Sequence, residues 1–178
     1  YDKKEGRHRL QTRYYYVNNQ SAAQSNLSHL AYAEYQYQRK FKIKSTFFGD
    51  MKVVAGAVGM YTYSKSELFG NATYNVGNAA LYGQIEQGLF KEKDKDNSKL
   101  TVVIGARLEY NTLQSPEMIS VDPSVDTLIL NPEPNANQAK PVFRVGLNYE
   151  ATPFTFIRAS WGQGYRYPTI AERYITTL

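Results

Sequence analysis

The sequence predicts an all-β fold: an antiparallel transmembrane β-barrel, of which about seven strands are present. Three observations predict it. Apolar and polar residues alternate with period two over repeated stretches of about 9–12 residues, the length a tilted strand needs to cross a hydrocarbon layer. The connections between these stretches read alternately short and long, as the turns and loops at the two ends of an outer-membrane barrel do. Tyrosine is in excess, with 16 Tyr beside 8 Phe and 1 Trp in 178 residues. Tyr joins a high strand propensity to an apolar body with a polar tip, which suits a boundary between oil and water.

The first strand spans residues 9–17 and is the least regular, because Tyr14, Tyr15 and Tyr16 populate both faces. Residues 28–44 alternate most cleanly. Ala31, Ala33, Tyr35, Tyr37, Phe41 and Ile43 share one face with a single charge, Arg39, while Glu34, Gln36, Gln38, Lys40, Lys42 and Lys44 share the other. Residues 52–63 form a third strand that is small and apolar on both faces, so the pattern gives it no orientation. In residues 78–90, Ala79, Leu81, Gly83, Ile85 and Leu89 oppose Tyr82, Gln84 and Glu86. In residues 99–111, Leu100, Val102, Ile104, Ala106, Leu108 and Tyr110 oppose Thr101, Arg107, Glu109 and Asn111. The sixth strand, 141–150, sets Phe143, Val145, Leu147 and Tyr149 against Arg144, Gly146 and Asn148. The seventh, 154–163, sets Ile157, Ala159 and Trp161 against Arg158 and Ser160. Short turns are expected after Lys44, Phe90 and Tyr149; long loops are expected over 18–27, 64–77 and 112–140, the last holding four of the seven prolines.

Composition excludes several classes. No run of about 18 apolar residues exists, so no transmembrane helix is possible. The net charge of +5 is dispersed, apart from clusters at Lys3-Lys4, Arg7/Arg9 and Arg39-Lys40-Lys42-Lys44. A nucleic-acid partner needs a continuous basic face, and none is expected. Cysteine is absent, which removes disulfides and thiolate sites. The chain opens on "YDKKEGRHRL" without an initiator Met, so an export signal is expected upstream. His8 and His29, the only histidines, show no ligand spacing. No G-x-S-x-G occurs, and "GQGYRYP" lacks the order of a phosphate-binding glycine loop. Neither an enzyme nor a metal or cofactor site is expected.

In a large barrel the polar face lines the lumen and the apolar face meets lipid. The lumen candidates are therefore Glu34, Gln36, Gln84, Glu86, Arg107, Glu109, Arg144 and Arg158. An Arg at the bilayer midplane costs about 2–4 kcal/mol, which turns Arg107 and Arg158 inward. Glu86 and Glu109 are expected to form an ion-pair ladder with Arg107, Arg144 and Arg158 on neighbouring strands. The expected interfacial girdle is Tyr35, Tyr37, Phe90, Tyr110, Tyr149 and Trp161. A passive porin-type barrel shares this pattern. So does a soluble β-sandwich that binds carbohydrate on a Tyr and Trp161 platform.

The stretch "RASWGQGYRYPTIAERY" at 158–174 carries a strand to a Gly-aromatic-Arg-aromatic-Pro break followed by a short helical pattern at 170–172. It resembles the late-barrel motif of TonB-dependent outer-membrane receptors through Arg158, Gly162, Gly164, Tyr165, Arg166, Pro168 and Glu172. Upstream, "NAALYGQIEQGLF" and "LTVVIGARLEYN" resemble the preceding hairpin of that family, on Asn78, Tyr82, Gln84, Glu86, Gly105, Arg107 and Glu109. "KPVFRVGLNYEATPFTFIRASWG" looks like the hairpin that follows. The resemblance covers residues 28 to the end. It implies an internal segment of a barrel of about 22 strands closed around a plug, in the bacterial outer membrane. Residues 1–178 are then a partial barrel domain, with the plug, the TonB box and a terminal aromatic strand expected outside this sequence. The implied function is energy-coupled uptake of a large scarce ligand, a ferric siderophore first and cobalamin or a glycan next. The implied partners are outer-membrane lipid, the plug of the same chain and the TonB complex, reached through a more N-terminal region. Tyr165 and Arg166 would face the plug or the ligand path, or else shape the strand exit.

Overall fold

The computed structural model describes residues 2–3, 6–20, 25–45, 47–66, 72–91, 98–115, 119–120, 128–129 and 135–167. The expected helical pattern at 170–172, with Pro168 and Glu172 of the late motif, lies outside them. Ten strands are described: β1 (Asp2–Lys3), β2 (Gly6–Gln20), β3 (Ser25–Phe41), β4 (Phe48–Ser66), β5 (Ala72–Lys91), β6 (Ser98–Gln114), β7 (Ile119–Ser120), β8 (Leu128–Ile129), β9 (Asn135–Thr152) and β10 (Thr155–Gly162). Eight of them form one sheet in the order β1-β2-β3-β4-β5-β6-β9-β10, antiparallel at every pairing, and β7 pairs with β8 separately. The seven long strands follow one another in space as in sequence. This is an all-β antiparallel meander, as the alternation predicts.

Strand lengths differ from expectation. β4 and β5 run to 19 and 20 residues. Two of the expected long loops shrink to 21–24 and 67–71, because polar segments at their flanks are paired. Asn18, Asn19 and Gln20 sit opposite Leu27, Asn26 and Ser25, and Ser66 sits opposite Ala72. A backbone ladder needs N–H and C=O groups, not apolar side chains, so pairing outlasts the period-two signal. Only the connection between β6 and β9 stays long.

At the other end β3 stops at Phe41, short of the expected Lys44. The Ser45 hydroxyl accepts from the backbone N–H groups of Phe47 and Phe48, both at 3.2 Å, and this local turn competes with continued pairing. The next strand begins with an irregularity between Phe48 and Met51. In the neighbouring turn Phe90 holds a positive φ of 57°, and its N–H donates to the Phe47 carbonyl at 2.8 Å. The β9–β10 turn is tight, as expected, but it needs only Pro153 and Phe154, because the first three residues of "EATP" stay in β9.

Register settles the faces. Ala55, Ala57, Gly59 and Tyr61 of β4 lie opposite Tyr37, Tyr35, Ala33 and Ala31 of β3, so they join the apolar face. Val54, Gly56 and Val58 lie opposite Gln38, Gln36 and Glu34 on the polar face. The buried residues other than glycine among those described, Tyr74, Ala80, Asn111, Leu113 and Ser115, cluster toward the long-connection end. The first four alternate onto the polar face. The apolar face has no such core: Leu81, Ile104 and Leu108 are each more than half exposed.

Candidate functional site

The polar face is organised around Glu34. Its two carboxylate oxygens accept from the hydroxyls of Tyr32 at 2.6 Å and Tyr82 at 2.7 Å, and the Gln36 amide donates to the Tyr82 hydroxyl at 3.3 Å. Tyr82 reaches Glu34 from β5 by crossing β4, and Gly56 makes the crossing possible. A Cβ there would stand 2.5 Å from the Tyr82 hydroxyl and 2.7 Å from the Tyr35 carbonyl oxygen. Gly105 does the same one strand pair further on. Arg144 of β9 lies across it, where a Cβ would come within 2.9 Å of Nε, and the guanidinium donates to Gln84. Beside it Arg107 Nε donates to Glu109 at 2.6 Å, and the Arg107 guanidinium sits 6.0 Å from the Tyr82 ring centre. Glu34, Gln36, Tyr82, Arg107 and Arg144 border a recess of about 270 Å³.

The structure brings Glu34, Gln84, Arg107, Glu109 and Arg144 together on this recess or its rim. The expected ladder is rearranged. Arg107 pairs with Glu109 on its own strand, Arg144 with Gln84, and Arg158 donates to Asn148 at 3.2 Å. The register explains this: Arg107 faces Val142 and Arg144 faces Gly105, so no Arg stands directly opposite a Glu. Glu86 lies apart, opposite Lys52 near the short-turn end. Tyr165 donates to Gln138 at 2.8 Å and packs under Lys140, whose Nζ is 5.0 Å from its ring centre. Gln163 binds Phe143 by exchanging two bonds, at 3.0 and 3.1 Å. The segment after β10 therefore stays docked on β9. Arg166 is exposed at its end. Sequence reasoning missed Gly56 and Tyr32; only the register shows a glycine beside a crossing tyrosine.

Of the expected girdle residues, Tyr35, Tyr37, Tyr110, Tyr149 and Trp161 lie on the apolar side by register, whereas Phe90 follows Leu89 at the end of β5, where its positive φ breaks the alternation. Tyr35, Phe90, Tyr110, Tyr149 and Trp161 are between 43% and 61% exposed, and Tyr37 is half-buried over Gly6 and His8. Two aromatic–histidine clusters bracket β2 and β3. His8 bonds Tyr35 at 2.6 Å near one end; His29 bonds Tyr14 at 2.7 Å near the other and packs on Tyr16 and Tyr63.

The apolar band ends on aromatics toward the long-connection end. Tyr16 in β2 and Tyr63 in β4 stand on one register row, bridged by His29, and that row continues through Asn75 to Gln114 in β6. On β6 the last aromatic is Tyr110, four residues further toward the short turns. A sandwich would cover this band with a second sheet, and the seven long strands make a single sheet with the band exposed.

A family model, the TonB dependent receptor-like β-barrel, matches residues 1–177. The chain belongs to that family. Comparison with curated proteins and with solved structures gave no match. The membership makes the chain part of a bacterial outer-membrane barrel, in a family of transporters that work with TonB and enclose a plug domain. The resemblance read from the late-barrel motif and the two hairpins before it is thereby shown for the family as a whole.

Proposed function

We propose that this segment of receptor barrel lines the import path of a ferric siderophore. The polar face is then the lumen wall, and Glu34, Gln84, Glu86, Arg107, Glu109, Arg144, Arg158, Tyr165 and Arg166 face the plug or the passing ligand. The role is transport, with no catalytic step. The observation that carries the reading is the pairing of an uncovered apolar band with a polar face rich in hydrogen-bonding groups. Arg7, Arg9, Arg13, Arg107, Arg144 and Arg158 outnumber Glu34, Glu86, Glu109 and Glu150 on that face, which favours an anionic iron chelate over neutral cobalamin or a neutral glycan. The interface role of Tyr35, Tyr37, Phe90, Tyr110, Tyr149 and Trp161 belongs to the same reading.

The test is uptake by the intact receptor in iron-starved cells. Radioactive iron supplied as anionic siderophore chelates should enter only when TonB and the proton gradient are present. Uptake of cobalamin or a glycan instead would replace the ligand. Uptake indifferent to TonB would establish the passive porin.

A further inference from the structure

The basic cluster at the β3–β4 turn lies away from the recess at Glu34, at the short-turn end of the strands. We infer that Arg39, Lys42 and Lys44, with Phe47, Phe48 and Phe90, form a docking surface for anionic phospholipid headgroups of the periplasmic leaflet. Arg39 lies on the apolar face opposite Val53, and its guanidinium sits 4.9 Å from the Phe41 ring centre. Its neighbour Lys40 points to the other face and is paired with Asp50 at 3.0 Å, so that charge is neutralised. Lys42 and Lys44 are exposed in the turn and have no carboxylate partner among the described residues.

Beside these cations three phenylalanine rings meet edge to face, with centroids 4.9 and 5.0 Å apart, and each is about half exposed. The cluster joins two neighbouring turns through the Phe90 N–H bond to Phe47. Phe90 adopts a left-handed backbone for it, a conformation that L side chains resist and that persists where surrounding contacts fix it. Exposed rings held together in this way lack an internal core to fill.

Arg39 adjoins the apolar band through Val53 and Ile85, so the same bilayer that covers the band reaches this turn. The one long described connection, β6 to β9, leaves from the opposite end of the strands, which puts this end at the periplasm. At that depth rings settle at the acyl–headgroup boundary, while Lys and Arg extend along it to phosphate oxygens. Clustered cations at a lipid surface select anionic headgroups.

Native mass spectrometry of the intact receptor, titrated with phosphatidylglycerol and separately with phosphatidylcholine, tests this. Phosphatidylglycerol should be held more tightly, and the preference should weaken as salt rises. Each basic residue is worth about fivefold, so Arg39→Gln with Lys42→Gln and Lys44→Gln should cut phosphatidylglycerol affinity roughly a hundredfold. Lys65→Gln, on the same face at the other end, should leave it unchanged. Equal retention of the two lipids by the wild type overturns the inference. So does a triple variant that binds like wild type, or an equal loss in Lys65→Gln. Should the triple variant not assemble, the wild-type salt series decides: a preference insensitive to salt refutes the docking surface.

Discussion

Gly56→Ala is the sharpest probe of the polar face. The new methyl would stand 2.5 Å from the Tyr82 hydroxyl and 2.7 Å from the Tyr35 carbonyl oxygen. Tyr82 must swing away, giving up its donation to Glu34 and its bond from Gln36. A hydrogen bond to a charged acceptor is worth about 1.5–3 kcal/mol; half-exposure lowers this to about 1–2 kcal/mol. The Tyr35 carbonyl belongs to the ladder and cannot move freely, so overpacking adds about 1–3 kcal/mol. Removing a strand glycine returns about 0.5–1 kcal/mol. The net expectation is a loss of about 1–4 kcal/mol. Urea unfolding of the intact receptor in micelles, followed by the gel shift of the folded form, measures it. Gly59→Ala and Gly83→Ala serve as controls, since a Cβ meets nothing within 4 Å at the first and only a carbonyl at 3.9 Å at the second. Should Gly56→Ala unfold together with Gly59→Ala, the crossing of Tyr82 over Gly56 is refuted. In a Tyr82→Ala background the cost of Gly56→Ala should shrink to the backbone contact alone, and full additivity would also refute the argument.

Three further outcomes are expected. Ala57→Arg, on the apolar face, should destabilise the inserted receptor by about 2–4 kcal/mol, whereas Val58→Arg, opposite Glu34, should cost less than about 1 kcal/mol; equal unfolding midpoints would reverse the orientation of β4. Arg107→Leu removes the 2.6 Å pair with Glu109 and should cost about 1–2 kcal/mol, while Val102→Leu stays within about 0.5 kcal/mol; equal surface yield and equal uptake for the two variants count against the face assignment. Tyr165→Phe deletes the 2.8 Å bond to Gln138 and should speed proteolytic cleavage within residues 163–167 several-fold, and an unchanged cleavage rate would show that this bond does not hold the segment on β9.

The period-two signal located all seven long strands, because a strand with one wet and one oily face must alternate. It also sorted Glu34, Gln84, Arg107 and Arg144 onto one face. What it could not supply was anything that depends on partners across the ladder. β4 carries Val and Gly on both faces, and only pairing with Tyr35 and Tyr37 on one side and Leu81 on the other assigns Ala57 outward. The ladder of Glu and Arg failed for the same reason. Same-face residues are neighbours only at matching register, and Arg107 meets Val142. The resemblance in the late motif reached further than periodicity, since it rests on residue identities that alternation does not constrain.

Strand length and tilt together explain why the polar ends were misread as loops. β4 has 19 residues, which at about 3.4 Å each is about 65 Å of strand. Inclined at about 40°, it rises about 50 Å along the membrane normal, roughly twice the apolar band of about 25 Å. Half of such a strand must stand outside the hydrocarbon, where no lipid selects alternation and Asn, Ser, Gln and Thr pair as well as Val. The apolar run on β4 extends from Met51 to Tyr63, and the paired polar residues Ser64, Lys65 and Ser66 lie beyond it on the long-connection side. Across the register on β5, Thr73, Tyr74 and Asn75 continue the same wall. The described parts of the polar segments expected as loops are therefore ladder-paired extensions of the sheet beyond its apolar band. Under the proposed function, a ligand arriving from outside would meet that paired rim before it reached the recess at Glu34.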